Sequence, residues 1–259
     1  MNALDAGGRT IAGVDGCKAG WIAVILRPTD EPAVGTFPTF AGLIDSLPTD
    51  AVVAVDMPIG LPDFTHKGGR GPETLVRTFL GERQSSVFSI PSRAAVHAFS
   101  EQFTTVEQWY EGHRVASAVA QATSDPPRGI SIQAFGIFSK IREIDALLIA
   151  RPELRLRVIE SHPEVAFWRL NDGAAMRLSK KVKGQVNPAG MAERRVLLAS
   201  IGLSAEFLGQ MPPRGAAADD FLDASVLLFI AARHARGEAK PFPDPPGRDG
   251  HGIPVAIWA

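Results

Sequence analysis

One segment, residues 217–234, AADDFLDASVLLFIAARH, constrains this chain more than any other. It reads as a single helix, and from Ala224 to Ala232 it is so nearly apolar all round that it can be stable only where other elements surround it. Such a helix needs a layer to lie on, and the rest of the chain supplies strands. The acids at its start divide into two kinds. Asp219 and Asp220 suit the first turn, where a carboxylate accepts from free amides and complements the positive end of the helix dipole. Asp223 lies about one turn further in, between Leu222 and Ala224, roughly on the same side as the other two. A carboxylate that close to an apolar run needs a cation to answer it, and a metal ion is one candidate.

The strands end on acids as well. Residues 10–14 form a short buried strand that stops on Asp15 and turns through Gly16 toward a second strand at 21–26, as a hairpin. A weaker strand at 33–37 and a short helix at 40–47 follow. Residues 51–55, AVVAV, are the continuous β-branched run of a strand covered on both faces, and it stops on Asp56 before Pro58, Gly60 and Pro62. From Gly68 to Arg151 the texture becomes helical, with candidates at 73–80, 106–122 and 131–149. We read residues 63–151 as a mostly helical insertion within one domain spanning 10–258. A strand at 156–159 ends on Glu160, and Pro163 and Glu164 suit the first turn of a helix over 164–170. Residues 177–195 are locally basic, a Pro/Gly-rich segment covers 241–252, and 253–258 is a closing strand.

Strand ends are where α/β sheets place their sites, so Asp15, Asp56 and Glu160 can converge with Asp220 and Asp223 although the sequence scatters them. Carboxylate oxygens suit Mg²⁺ or Mn²⁺, and two such ions about 3.5–4 Å apart can drive hydrolysis of a phosphodiester. For any single acid, a turn or capping role is the plainer alternative. His162 fits a proton shuttle or a hydrogen-bonding turn residue, and Cys17 a small buried filler. Arg70, Arg77, Arg83, Lys180, Lys181 and Arg194, with Arg93 and Arg195, are the candidates for meeting phosphates, each with an ordinary structural role as its alternative.

The formal net charge of −1 provides no overall basic field, so a nucleic-acid partner would need a local patch. A single cysteine excludes an intramolecular disulfide. No secretory signal opens the sequence, and no apolar run reaches the roughly 18 residues of a membrane helix, so the expectation is a cytoplasmic protein without a membrane partner. The sequence sets no oligomeric state.

The blocks GVDGCKAGW, AVDMPIGLP, LGERQSSVFSIPSR, ISIQAFGIFSKIREID, IESHPEVAFWRLN, LSKKVKG and ADDFLDASVLLFIAAR occur in that order between Ile11 and Ile257. Together they resemble domain-of-unknown-function family 429 (DUF429), described as predicted ribonuclease H-like nucleases. The resemblance implies an α/β fold with a ribonuclease H-like mixed sheet flanked by helices and a helical insertion after the fourth strand. It also implies metal ligation by acids matching Asp15, Asp56 and Asp220 or Asp223, with Glu160 a further candidate. Where an Arg-x-x-Asp pair is expected in the insertion, this chain has Arg70 and Glu73. The substrate expected is a nucleic acid or a small phosphoester. An actin- or sugar-kinase-like nucleotide-binding enzyme and a non-catalytic binding scaffold are the competing expectations, since fold alone does not fix function.

Overall fold

The protein is represented by a computed structural model that describes residues 3–66, 69–101 and 103–259. Gly68, where the sequence texture changes, lies outside the described residues, as do Met1, Asn2, Lys67 and Gln102. Five strands form one mixed sheet: β1 (Ile11–Cys17), β2 (Gly20–Leu26), β3 (Ala33–Phe37), β4 (Val52–Val55) and β5 (Val158–Glu160). Their order across the sheet is β3-β2-β1-β4-β5. β2 runs antiparallel to both β1 and β3, whereas β1, β4 and β5 are mutually parallel.

Strand alternation divides the core into two layers. Ala12, Val14, Val53 and Val55 face one side, where they pack with Phe40, Leu43 and Ile44 of α1 (Phe40–Asp45) and with the helices between β4 and β5. Of the helices in that stretch, α2 (Pro72–Arg77) packs apart, through Val76 with Val165 and Ile257, and α3 (Arg93–His97), α4 (Val106–Ala122), α5 (Ile132–Gly136) and α6 (Phe138–Ala150) form the layer. Ile11, Ile22, Val24, Val52 and Ala54 face the other side. There they meet α7 (Pro163–Leu170), α8 (Pro188–Ser200), α9 (Ala205–Gly209) and, above all, α10 (Ala218–Ala235). From Phe221 to Ala232 every residue of α10 is buried, as its unbroken apolar character requires. Gly13 lets it lie so close: a Cβ there would overlap the backbone of Ala224, Leu227 and Leu228.

The elements depart from the sequence reading at several places, and α3, α8 and α9 are helices it did not contain. β1 does not stop before Asp15 but continues to Cys17, because β2 pairs with it down to a two-residue turn at Lys18 and Ala19. The helix expected at 131–149 breaks at Ile137 into α5 and α6. The strand expected at 156–159 is shifted, since Pro152–Leu156 forms a 3₁₀ turn and β5 includes Glu160. The Pro/Gly-rich stretch holds a strand, β8 (Pro241–Arg248), paired with β9 (Pro254–Trp258) outside the main sheet. Its pairing is interrupted between Phe242 and Gly247, where Pro243, Pro245 and Pro246 have no amide hydrogen to donate. A small exposed hairpin, β6 (Lys181–Val182) and β7 (Gln185–Val186), precedes α8. Among the described residues no helix is long and apolar enough to cross a membrane.

Candidate metal centre

The parallel register sets which acids meet. Val14 of β1 pairs with Val55 of β4, and the Asp56 amide donates to the Val14 carbonyl at 2.9 Å, so Asp15 and Asp56 follow as level neighbours at the end of that ladder. By alternation both fall on the face that α10 covers, the face of Gly13 and Ala54. α10 brings Asp223 from above. Carboxylate oxygens of Asp15, Asp56 and Asp223 lie within 4.8 Å of one another. Asp15 and Asp223 are 8% and 2% exposed.

Concentrated buried charge has electrostatic consequences. Burial, then the neighbouring Asp56 and Asp223, holds the Asp15 carboxyl well above its ordinary range. Burial pushes Asp56 up to about 7 and Asp223 up to about 6, in each case against the opposing pull of Lys180. The Lys180 ammonium pairs directly with Asp223 Oδ2. Asp223 Oδ1 is buried and has no hydrogen-bond partner among the described residues. An orphaned carboxylate oxygen beside two further carboxylates fits a hard divalent cation, which takes oxygen ligands, so the residues present suit Mg²⁺ or Mn²⁺.

The structure does not bring the other expected acids into this cluster. Glu160 is level with Val55, not with Asp56, and that one-residue step turns its side chain to the opposite face. There Arg70 donates to both its oxygens, at 2.7 and 2.9 Å, and the Ile59 amide adds a third bond at 2.7 Å. Asp220 accepts from the Ala217 amide at 2.9 Å, which is a capping role, and Asp219 pairs with Lys181 at 2.5 Å.

The arginines expected to meet phosphates are engaged internally. Arg70 also bonds Glu73 at 2.7 Å, so the local Arg70–Glu73 pair does form, and its side chain is fully buried. Arg77 donates to the Val87 carbonyl and to Ser89, and Arg83 to Ser179 and Glu82. Arg93 joins Asp145 and Asp249, and Arg195 donates to the Leu208 carbonyl. Arg194 is wholly buried, pairs with Glu164 at 2.5 Å and packs over the Phe167 ring. His162 caps α7: its Nδ1 accepts from the Glu164 amide at 3.2 Å, which leaves Nε2 to donate to the Ser86 carbonyl, and burial lowers its basicity. Cys17 is buried on the α10 face.

A cleft of about 170 Å³ opens beside the cluster, with Asp15, Asp56, His162 and Phe88 in its wall. It is also lined by Lys140 of α6, a residue the sequence reading passed over. Lys140 lies over the Trp21 ring at 4.6 Å and donates to the Gly20 carbonyl, and burial lowers its pKa. Its only mark in the sequence is to be a lone cation in the apolar helical stretch GIFSKI.

No curated protein and no solved structure matches the chain. Residues 13–248 match the family described as "Protein of unknown function (DUF429)", a span running from β1 through α10 and covering all three clustered aspartates. The chain therefore belongs to the DUF429 family.

Proposed function

We propose that this protein is a divalent-metal-dependent phosphodiester hydrolase of ribonuclease H-like type, with Asp15, Asp56 and Asp223 holding Mg²⁺ or Mn²⁺. One observation carries the proposal: carboxylates from β1, from the end of β4 and from α10 meet within 4.8 Å, and one of their buried oxygens lacks a partner. The sheet order β3-β2-β1-β4-β5, with its antiparallel first three strands, supports the ribonuclease H-like assignment, and the helices between β4 and β5 stand where the insertion is expected.

A cation at this position supplies Lewis-acid chemistry and offsets charge on a phosphoryl group. The chain does the rest. The three aspartates would hold the cation, the buried packing of α10 on the sheet would keep bulk water from behind it, and Lys140 lines the cleft where a phosphoryl oxygen would enter. In the hydrolysis, a water oxygen bonds to phosphorus, the P–O bond to the leaving alcohol breaks, and a proton ends on the leaving oxygen. No redox partner is needed.

Duplex binding draws on several cations that contact successive phosphates. Here Arg70, Arg77, Arg83 and Arg194 are spent on carboxylates, hydroxyls and carbonyls of the chain itself. A small phosphoester, or a nucleic-acid end reaching into the cleft, fits this better than a duplex laid across it. The test is Mn²⁺-dependent hydrolysis of bis(p-nitrophenyl) phosphate and of end-labelled single-stranded and duplex DNA and RNA, comparing the parent with Asp56→Asn. Turnover of any of these, lost in the variant, supports the proposal; no turnover of any of them overturns it. The Lys180–Asp223 pair, which neutralises part of the cluster without a metal, favours a non-catalytic scaffold as the second reading.

A further inference from the structure

Lys180 is no ordinary surface lysine. Its ammonium pairs with Asp223, its side chain is three-quarters buried, and Asp15 and Asp56 also act on it. The backbone that carries it is fixed from several sides. The Lys180 carbonyl accepts from the Asn187 amide and the Ser179 carbonyl from the Asn187 side chain, both at 2.8 Å. Arg194 holds the Leu178 carbonyl at 2.9 Å, Arg83 reaches Ser179, and Lys181 is tied to Asp219. Gly190 at the start of α8 sits so close that a Cβ there would overlap the Ser179 carbonyl.

The surrounding acids show what this placement means. Two divalent ions bring four positive charges, one more than the three carboxylates of Asp15, Asp56 and Asp223 carry when ionised, and Lys180 adds a fifth. Asp219, Glu160 and Glu164 pair with Lys181, Arg70 and Arg194, and Asp220 accepts from the Ala217 amide; Asp219 Oδ1 and Glu164 Oε2 are left without a hydrogen-bond partner among the described residues, but none of these four acids joins the cluster. What remains is the cluster of Asp15, Asp56 and Asp223, whose charge one divalent ion and one ammonium balance.

We infer that the centre is mononuclear, with the Lys180 ammonium fixed where a two-ion site would hold its second cation. The inference rests on Asp15, Asp56 and Asp223 being metal ligands and deepens that assignment. Lys180 stays in place when the divalent ion enters, because the two cations share the cluster's charge and do not compete for it.

The experiment counts Mn²⁺ bound to the full-length chain by equilibrium dialysis with electron paramagnetic resonance, for the parent, Lys180→Met and Lys180→Arg, each checked by thermal melting. One Mn²⁺ is expected in the parent and in Lys180→Arg. Lys180→Met should take up a second, weaker ion and show the exchange-coupled spectrum of a pair. Two ions in the parent overturn the inference while leaving the hydrolase proposal standing, as does a folded Lys180→Met with one ion and unchanged affinity. No Mn²⁺ in the parent removes the ligand assignment itself. One Mn²⁺ without hydrolysis of any phosphodiester fails the hydrolase proposal and leaves the inference intact. If Lys180→Met does not fold, tryptic cleavage at Lys183 in the parent decides. Unchanged cleavage with Mn²⁺ means that the hairpin stays docked, and cleavage several-fold faster means that Lys180 has been expelled, which overturns the inference.

Discussion

Arg70 clasps Glu160 through two hydrogen bonds, at 2.7 and 2.9 Å, on the strand face opposite the aspartate cluster but in the wall of the cleft that Asp15 and Asp56 also line. Burial on its own would raise the Glu160 carboxyl, and the guanidinium opposes that rise. The pair joins the segment before α2 to the end of β5.

Removing one partner leaves a buried charge unanswered. Arg70→Ala should therefore destabilise the chain by about 3–5 kcal/mol, whereas the double change Arg70→Met, Glu160→Leu should recover most of that loss. Urea unfolding of the three proteins measures both. A loss below about 1 kcal/mol for Arg70→Ala would mean that the pair is solvated in solution.

Gly13 should tolerate no side chain. A Cβ at this position overlaps backbone atoms of Ala224, Leu227 and Leu228, and backbone cannot rotate away as a flexible side chain can. Gly13→Val should cost at least the ~1–3 kcal/mol typical of overpacked cores and lift α10 from β1. Thermal melting and near-ultraviolet circular dichroism read the change, and a variant as stable as the parent would show that α10 does not lie this close.

Much of this was legible in the sequence, and the boundary has a physical cause. The apolar character of α10, the acid that follows β4 and the covered strand β4 are local patterns, and each appears where the chain predicts it, whereas β1 runs two residues past Asp15. The face onto which an acid falls is not local. Glu160 looks like Asp56 in sequence, each following a β-branched strand, but the β4–β5 register sets it level with Val55 and turns it away. The same holds for the basic residues. Nothing near Arg70 or Arg194 in sequence shows that Glu160 and Glu164 will consume them, and Lys140 reaches the cleft only because α6 packs over the β1–β2 hairpin. The ribbon of β8 and β9 was half hidden for a simpler reason, since its prolines mask strand character.

The metal-free protein should lose stability as pH rises from about 4 to about 7. Burial pushes Asp56 from 3.8 to about 7 and Asp223 to about 6, so across that window the folded chain retains protons that the unfolded chain has released. A state that binds more protons is favoured at low pH, and its advantage falls as pH rises. A divalent cation competes with those protons, so the stabilisation by Mn²⁺ should be larger at pH 7.5 than at pH 5. Thermal midpoints at both pH values, in chelator and in Mn²⁺, check this, with Asp56→Asn as the control that flattens the metal-free slope. A Mn²⁺ shift equal at both pH values would contradict it.

The most direct measurement is a calorimetric titration of Mn²⁺ into the parent, Asp223→Asn and Glu160→Gln, all shown to be folded. Carboxylates of Asp15, Asp56 and Asp223 that lie within 4.8 Å of one another predict binding in the parent, at least a hundredfold weaker binding in Asp223→Asn and near-parent affinity in Glu160→Gln, because Glu160 lies outside the cluster and both its oxygens are held by Arg70. A parent that binds no Mn²⁺, or an Asp223→Asn variant that binds it as the parent does, would contradict the metal centre.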